Sequence, residues 1–351
     1  MISYSATIMK CWKNINIDLD KNMSDAIELL ENTKKGILLV TDNMNSLIGT
    51  VTDGDIRRAI INKKPLNSPV IDFCNHHPVT ITKGNIRPGE KIFDSKLICV
   101  PIVDHNSCMI DILWADSTAK IDNPILLMAG GFGKRLMPLT DSIPKPMLMV
   151  GDSPILETII KGLSEYGFWN FYISTHYKSE YIRNHFGDGK NLGVSIKYIH
   201  ESEPLGTAGA VSLLPDDISS LPMIVMNGDI LTKVNFKGLL DYHNENKAEI
   251  TICAKEYDFQ VPYGVIKFDG GRVVEIIEKP IHNFFISSGI YVLENKLIKS
   301  MPKNKYIDMT EVINNSIGRG EVAGYPMYEY WLDIGGMSEF EKAQVDIKEI
   351  F

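Results

Sequence analysis

Short apolar runs recur along this chain, and their rhythm changes near residue 118. Before that point, residues 36–40 (Gly-Ile-Leu-Leu-Val) and 47–51 (Leu-Ile-Gly-Thr-Val) read as two strands flanking a polar turn at Asp42 and Asn43. Ser24 or Asp25 is placed to cap a helix running through Leu30. Thr52-Asp53-Gly54-Asp55 is placed to cap a shorter one over residues 56–61. A weaker copy of the pattern follows in residues 78–81, 98–104 and 109–113. A repeat of about 60 residues built from helix, two strands and helix predicts paired small α+β modules packed face to face.

Residues 114–123 (Trp-Ala-Asp-Ser-Thr-Ala-Lys-Ile-Asp-Asn) are short and polar, and residues 119–123 read as the linker between a first domain over 1–118 and a second over 124–351. Beyond them strand and helix signals alternate. Pro154 opens a helix with Asp152 or Ser153 as cap, Ile155, Ile159 and Leu163 as its buried stripe, and Gly167 at its end. Residues 170–175, 194–199 and 223–226 read as strands, 180–185 and 206–214 as helices, and 268–273 as a hairpin turn. This alternation predicts a Rossmann-like α/β domain with a mixed, mostly parallel sheet covered by helices.

Composition narrows the partners. Residues 1–118 hold 13 Lys and Arg against 14 Asp and Glu, so nearly all of the net charge of −8 falls on the remainder. Neither part has the basic excess expected for binding nucleic acid or an anionic membrane. No apolar run approaches the roughly 18 residues of a membrane span, and the start of the chain lacks a signal-peptide core. Five scattered cysteines without a C-x-x-C pair argue against a disulfide framework or zinc site, and a cytoplasmic setting is expected.

The chemistry concentrates in residues 126–147. An apolar strand runs into Ala129, Gly130, Gly131 and Gly133, followed by Arg135 and Lys145. Glycines after a strand let backbone N–H groups close around a polyphosphate, and the cations neutralise what the amides leave. The loop is not a Walker loop, because Met128 stands where its first glycine belongs and Arg135 follows Lys134. It is not a dinucleotide loop either, because Leu136 replaces the third glycine. The string from Gly130 to Pro146 resembles the opening of the sugar-1-phosphate nucleotidyltransferases, G-G-x-G-x-R-[LM]-x-P-L-T-x-x-x-P-K-P.

Four later segments resemble the same family in the same order. Residues 201–210 imply a base-binding turn at Glu201, Gly206, Thr207 and Ala208. Asp229, after Met226-Asn227-Gly228, and Asp333, in Trp331-Leu332-Asp333-Ile334-Gly335-Gly336, imply two carboxylate ligands for Mg²⁺. Gly264, Glu278 and Lys279, with Ser287 in Ser287-Ser288-Gly289-Ile290-Tyr291, imply the sugar-phosphate side. Ser287 replaces the family's common asparagine, and Gly336 its usual Thr or Ser.

The first 118 residues resemble a tandem pair of cystathionine-β-synthase (CBS) domains. Gly49-x-Val51-Thr52-x-x-Asp55 fits that family's ribose-phosphate motif, which implies an adenosine nucleotide held by Thr52 and Asp55. In the second copy Asp111 replaces the glycine and residues 83–96 are short for the usual helix. The other reading is a scaffold in which Asp53-Gly54-Asp55 is a turn and helix cap.

Together these resemblances imply an Mg²⁺-dependent enzyme that joins a nucleoside triphosphate, GTP by the domain order, to a hexose- or hexosamine-1-phosphate. A homo-oligomer is expected. The alternatives are a cytidylyltransferase for a phospho-alcohol and a non-catalytic regulatory subunit that senses nucleotides.

Overall fold

The computed structural model describes residues 6–9, 12–33, 35–83, 99–115 and 120–351. Contacts divide it into two units, Met1–Lys120 and Ile121–Phe351. Cys11, residues 84–96 of the segment expected to be short of a helix, residue 98 at the start of the expected 98–104 segment, and residues 116–119, the last of which opens the expected linker, lie outside the described residues.

The first unit contains the repeat. Strands β1 (Ala6–Met9), β2 (Asn16–Asp18), β3 (Ile37–Thr41), β4 (Leu47–Thr52), β5 (Ile81–Thr82), β6 (Cys99–Val103) and β7 (Met109–Ala115) form two sheets, ordered β2-β3-β4 and β1-β7-β6-β5. In each, a parallel pair is followed by an antiparallel hairpin with a register shift one residue before its turn. The turns match atom for atom. Asp42 Oδ1 accepts from the N–H groups of Met44 and Ser46, and Asp104 Oδ1 from those of Asn106 and Cys108. Leu47 N donates to the Ser107 carbonyl and Met109 N to the Asn45 carbonyl, both at 2.9 Å, so the two turns pair about a local two-fold.

Of the two caps expected here, one differs. The first helix spans Met23–Thr33, and its reciprocal cap is Asn22, whose Oδ1 accepts from Asp25 N while Asp25 Oδ2 accepts from Asn22 N. Asn22 competes with Ser24 because both are short polar side chains, and the burial of Met23 pulls it into the first turn. The second helix, Asp53–Ile61, begins at Thr52 as expected.

In the second unit β8 (Ile125–Met128) is followed by a two-strand ribbon, β9 (Met149–Val150) and β10 (Ser153–Pro154). Then come β11 (Asn170–Thr175), β12 (Ser195–His200), β13 (Met223–Asn227), β14 (Ile230–Thr232), β15 (Ile250–Gln260), β16 (Val265–Asp269), β17 (Arg272–Ile277), β18 (Ile281–Leu293), β19 (Val322–Met327) and β20 (Trp331–Asp333). Seven strands form the main sheet in the order β12-β11-β8-β13-β18-β15-β19. The first four run parallel, and β18 is antiparallel to both its neighbours.

Helix Ile155–Glu165 buries Ile155, Leu156, Ile159, Ile160 and Leu163 against this sheet, each contributing about 1.5–3 kcal/mol of burial. Pro154 is its N-cap rather than its first helical residue, because it also pairs in β10. The helix expected over 206–214 is a single α-turn, Gly206–Gly209, continued as a 3₁₀ turn to Leu213.

Candidate active site

Register brings the candidate residues together. Met128 is paired with Ser174 on one side and with Asn227 on the other, so the loops after β8, β11 and β13 leave the sheet side by side. After β8 the chain crosses to β11, and after β13 it moves away in the opposite direction. Ligands of open α/β sheets bind at such a switch point, outside the carboxyl ends of the strands. Gly228 N donates to the Met128 carbonyl at 2.8 Å and Ala129 N to the Ser174 carbonyl at 2.9 Å, which fastens the loop starts to one another.

The glycine-rich loop folds back on itself. Gly133 has φ +64°, and a Cβ there would lie 2.9 Å from Thr140 Cγ2 and 3.0 Å from Lys145 Cβ. Thr140 Oγ1 donates to the Gly133 carbonyl at 3.0 Å, and the buried Leu136 anchors the turn. Phe132, Lys134 and Arg135 remain exposed. The Arg135 guanidinium lies against Gly335, where a Cβ would be 3.3 Å from Nη1.

The two carboxylates meet through a short ladder. Strands β14 and β20 pair antiparallel with Ile230 opposite Asp333, and Ile334 N donates to the Asp229 carbonyl at 3.0 Å. The buried Lys145 ammonium forms an ion pair with Asp229 Oδ2. Asp229 Oδ1 and Asp333 Oδ1 are buried and without a hydrogen-bond partner among the described residues. Burial, and then the negative Asp229 beside it, push the Asp333 carboxyl above its ordinary range, against the pull of Lys145 and Arg135. Unsatisfied carboxylate oxygens in this setting cost free energy that a cation would recover. Two hard oxygen donors fit Mg²⁺, which takes one or two carboxylates and completes its shell with phosphate oxygens and water.

Between the loops lies a pocket of about 280 Å³, lined by residues 128–132, 145–146, 201, 204–207 and 227–229. Ala129, Gly130, Gly131, Glu201, Gly206, Thr207, Lys145 and Asp229, all expected from sequence, line it. Gly133 and the buried Ala208 stand behind the lining. Glu201 turns its carboxylate inward, accepting from the Ser174 hydroxyl and from Leu205 N at 3.2 Å. Thr207 Oγ1 accepts from Met309 N at 2.8 Å and so holds the start of helix Met309–Ile317. Both residues fasten the 201–209 turn.

The sugar-side residues stand elsewhere. β15 and β18 continue to pair beyond the sheet, to Gln260 opposite Ile281, and β16–β17 extends them as a second hairpin turned by Gly270 and Gly271. Gly264, Glu278 and Lys279 lie on this exposed arm, with Glu278 Oε2 packed on Gly264, and none of them lines the pocket. Ser287 sits nearer the arm's root, its hydroxyl 2.9 Å from that of Tyr291. Sequence reasoning missed Ser174 as the partner of Glu201, and Asn227 and Phe132 as pocket lining. Of these, Asn227 carried a signal, as the last residue of an apolar strand before Gly-Asp.

Residues 124–350, well over half of the chain, match the nucleotidyl transferase family, and residues 8–62 match the CBS domain. The chain therefore belongs to the nucleotidyl transferase family and carries an N-terminal CBS domain. It is 30% identical over 239 residues to mannose-1-phosphate guanylyltransferase of Mycobacterium tuberculosis, covering 66% of each chain. It is 32% identical over 219 residues to a probable mannose-1-phosphate guanylyltransferase of Oryza sativa subsp. japonica, covering 60% of each. The chain thus spans somewhat under two thirds of the length of these relatives. The crystal structure of HddC from Yersinia pseudotuberculosis complexed with GMP-PN aligns with a TM-score of 0.51 and 26% identity, over 64% of this chain and 99% of that one.

Proposed function

We propose that this chain transfers a nucleotidyl group from a nucleoside triphosphate to a sugar-1-phosphate, releasing pyrophosphate. The reading rests on one convergence: the glycine-rich loop, the Lys145–Asp229 ion pair and the orphaned oxygens of Asp229 and Asp333 share one sheet edge. A sugar-phosphate oxygen attacks the α-phosphorus in line, and the bond to the pyrophosphate oxygen breaks. No general base is needed, because a phosphate monoester with a second pKa near 6 is already largely dianionic at neutral pH.

Catalysis then falls to positioning and charge. The loop amides of residues 130–133 hold the β- and γ-phosphates, and Arg135, exposed beside Gly335, closes on them as negative charge leaves with pyrophosphate. Lys145 is held at the α-phosphate position by Asp229. Mg²⁺ on Asp229 and Asp333 would supply charge neutralisation of the phosphates. Gly206, Thr207 and Ala208 support the base, and Glu201, lining the pocket beside them, braces that turn. Lys279 aims the nucleophile, and Gly264, Glu278 and Ser287 bond sugar hydroxyls.

GTP is the proposed nucleotide and a hexose- or hexosamine-1-phosphate the proposed acceptor. Their support is the chain's similarity to proteins named as guanylyltransferases and to a structure holding GMP-PN. Pyrophosphate release from a panel of five nucleoside triphosphates against hexose- and hexosamine-1-phosphates tests this. GTP with one of the acceptors should exceed the rest at least tenfold. Release with CTP and a phospho-alcohol alone, or no release in any pairing, would refute it.

A further inference from the structure

The turn that follows Asp333 brings a third carboxylate to the edge of the site. Gly336, which stands where the family motif usually has Thr or Ser, is the N-cap of helix Met337–Ile350. A hydroxyl at that position would accept from N–H groups of the first turn. Gly336 has none, and no side-chain cap forms. Its φ of −149° is one that any residue adopts, so the backbone does not require a glycine. The space above it does. A Cβ on Gly336 would lie 3.0 Å from Glu339 Oε2, because this third helical residue folds its carboxylate back over the helix start. Glu339 is in this sense half of a capping box whose other half is missing.

The carboxylate is fixed and charged there. Ser338 Oγ donates to Glu339 Oε1 at 2.7 Å. The Ser338 hydroxyl first, then the backbone N–H groups of Glu339 and Gly336 and the nearby Arg135 guanidinium, hold the Glu339 carboxyl below its ordinary range, against the opposing effect of burial.

Arg135 lies on the adjoining residue. A Cβ on Gly335 would be 3.3 Å from Nη1 and 3.6 Å from both Cζ and Nη2, so the guanidinium turns its face to Gly335. It forms no ion pair there among the described residues, but its charge acts on both Asp333 and Glu339. The neighbouring Lys134 is turned to an aromatic ring instead, with Nζ 5.7 Å from the centroid of Phe132. With a cation on Asp229 and Asp333, the pull of Asp333 on Arg135 is cancelled, and Glu339 is left to hold the guanidinium over Gly335.

We propose that Glu339 is a positioning residue that competes with phosphate for Arg135. It keeps the guanidinium on Gly335 while the pocket is empty and draws it back once pyrophosphate has formed, which lets the product leave. The inference rests on the proposed nucleotidyl transfer, in which Arg135 engages the β- and γ-phosphates. Such competition weakens pyrophosphate binding by the strength of an exposed charge pair, about three- to fivefold. A residue that only capped its helix would leave that affinity alone.

Titration calorimetry of the full chain with pyrophosphate and Mg²⁺ tests this on wild type, Glu339→Gln, Arg135→Ala and the double variant. Glutamine keeps an oxygen for the Ser338 hydroxyl, so the melt should stay cooperative. Glu339→Gln should bind pyrophosphate about three- to fivefold more tightly than wild type. On the Arg135→Ala background the same change should leave the affinity where it was. Equal tightening on both backgrounds would reduce the effect to like-charge repulsion of the ligand and overturn the competition. An affinity unchanged by Glu339→Gln overturns it as well and leaves the proposed function standing. A wild type that binds no pyrophosphate refutes both.

Discussion

Arg135 and Lys145 carry the same charge in different surroundings, and that difference separates the effects of removing them. Arg135 is exposed and rests on Gly335, whereas Lys145 is buried and ion-paired with Asp229. Arg135→Ala should lower kcat on the order of 10²–10³-fold with an unchanged melting temperature, as when one stabiliser of transition-state charge is lost. Lys145→Met should lose activity and also stability, because Asp229 is left beside Asp333 without a countercharge. The loss should be about 1–3 kcal/mol, below that of a fully buried pair, since the Asp229 side chain is 24% exposed. Millimolar Mg²⁺ should raise the melting temperature of Lys145→Met more than that of Asp333→Asn, which retains one carboxylate fewer. Calorimetric melts with and without Mg²⁺ check this, and equal responses would remove the cation from Asp229 and Asp333. These residues were legible in the sequence because each sits in a dense motif. The inward turn of Glu201 was not, since its partner Ser174 lies 27 positions earlier in a strand that carries no chemical motif.

At the scale of elements, β8, β11 and β13 were legible because they are buried on both faces and read as continuous apolar runs, whereas β15, β18 and β19 were not read as strands. The β14–β20 ladder was not, because three-residue strands carry no periodicity, and yet it is what joins Asp229 to Asp333. Nor was the arm's reach: alternation shows a strand but not where its sheet ends. A further consequence sits on helix Phe236–Asn246, where His243 is fully buried with Nδ1 2.8 Å from Thr251 Oγ1 and Nε2 3.3 Å from Glu294 Oε1. Burial lowers its pKa, and the Glu294 carboxylate only partly opposes that. The unfolded chain, with a histidine pKa of about 6.5, therefore binds this proton before the folded chain does. Stability should be fully present above pH 7 and fall as pH drops below about 6.5. His243→Asn, which keeps polar atoms near Thr251, should flatten that slope in urea melts at pH 7.5, 6.5 and 5.5. An unchanged slope would place the acid sensitivity elsewhere.

For the whole molecule, the remaining question is whether the first unit holds a ligand. Its two halves share strand pairing and turn geometry but not the residues that would face a nucleotide. In the register, Gly49 lies opposite Val40 where Asp111 lies opposite Ile102, so the aspartate stands at the glycine's place. A Cβ on Gly49 would come within 2.6 Å of the Asn75 carbonyl, so the first half packs too closely there to tolerate the same exchange. Any adenosine nucleotide would therefore rely on Thr52 and Asp55. Those two residues already engage each other: Asp55 Oδ2 accepts from Thr52 N at 2.8 Å and Thr52 Oγ1 at 2.6 Å, and Oδ1 is paired with Arg58. Freeing that carboxylate would forfeit charge-assisted bonds of about 1.5–3 kcal/mol each, while millimolar affinity needs a net gain of about 4 kcal/mol. We therefore expect no binding heat from AMP or ATP at the first unit, and Asp55→Ala to cost about 0.5–2 kcal/mol of stability as a lost helix cap. Titration calorimetry of the full chain with AMP checks the first point, since AMP cannot serve as donor in the transfer. Heat that vanishes in Asp55→Ala would make the unit a sensor. Its coupling to turnover would then be bounded at about 1–3 kcal/mol and reciprocal with substrate affinity.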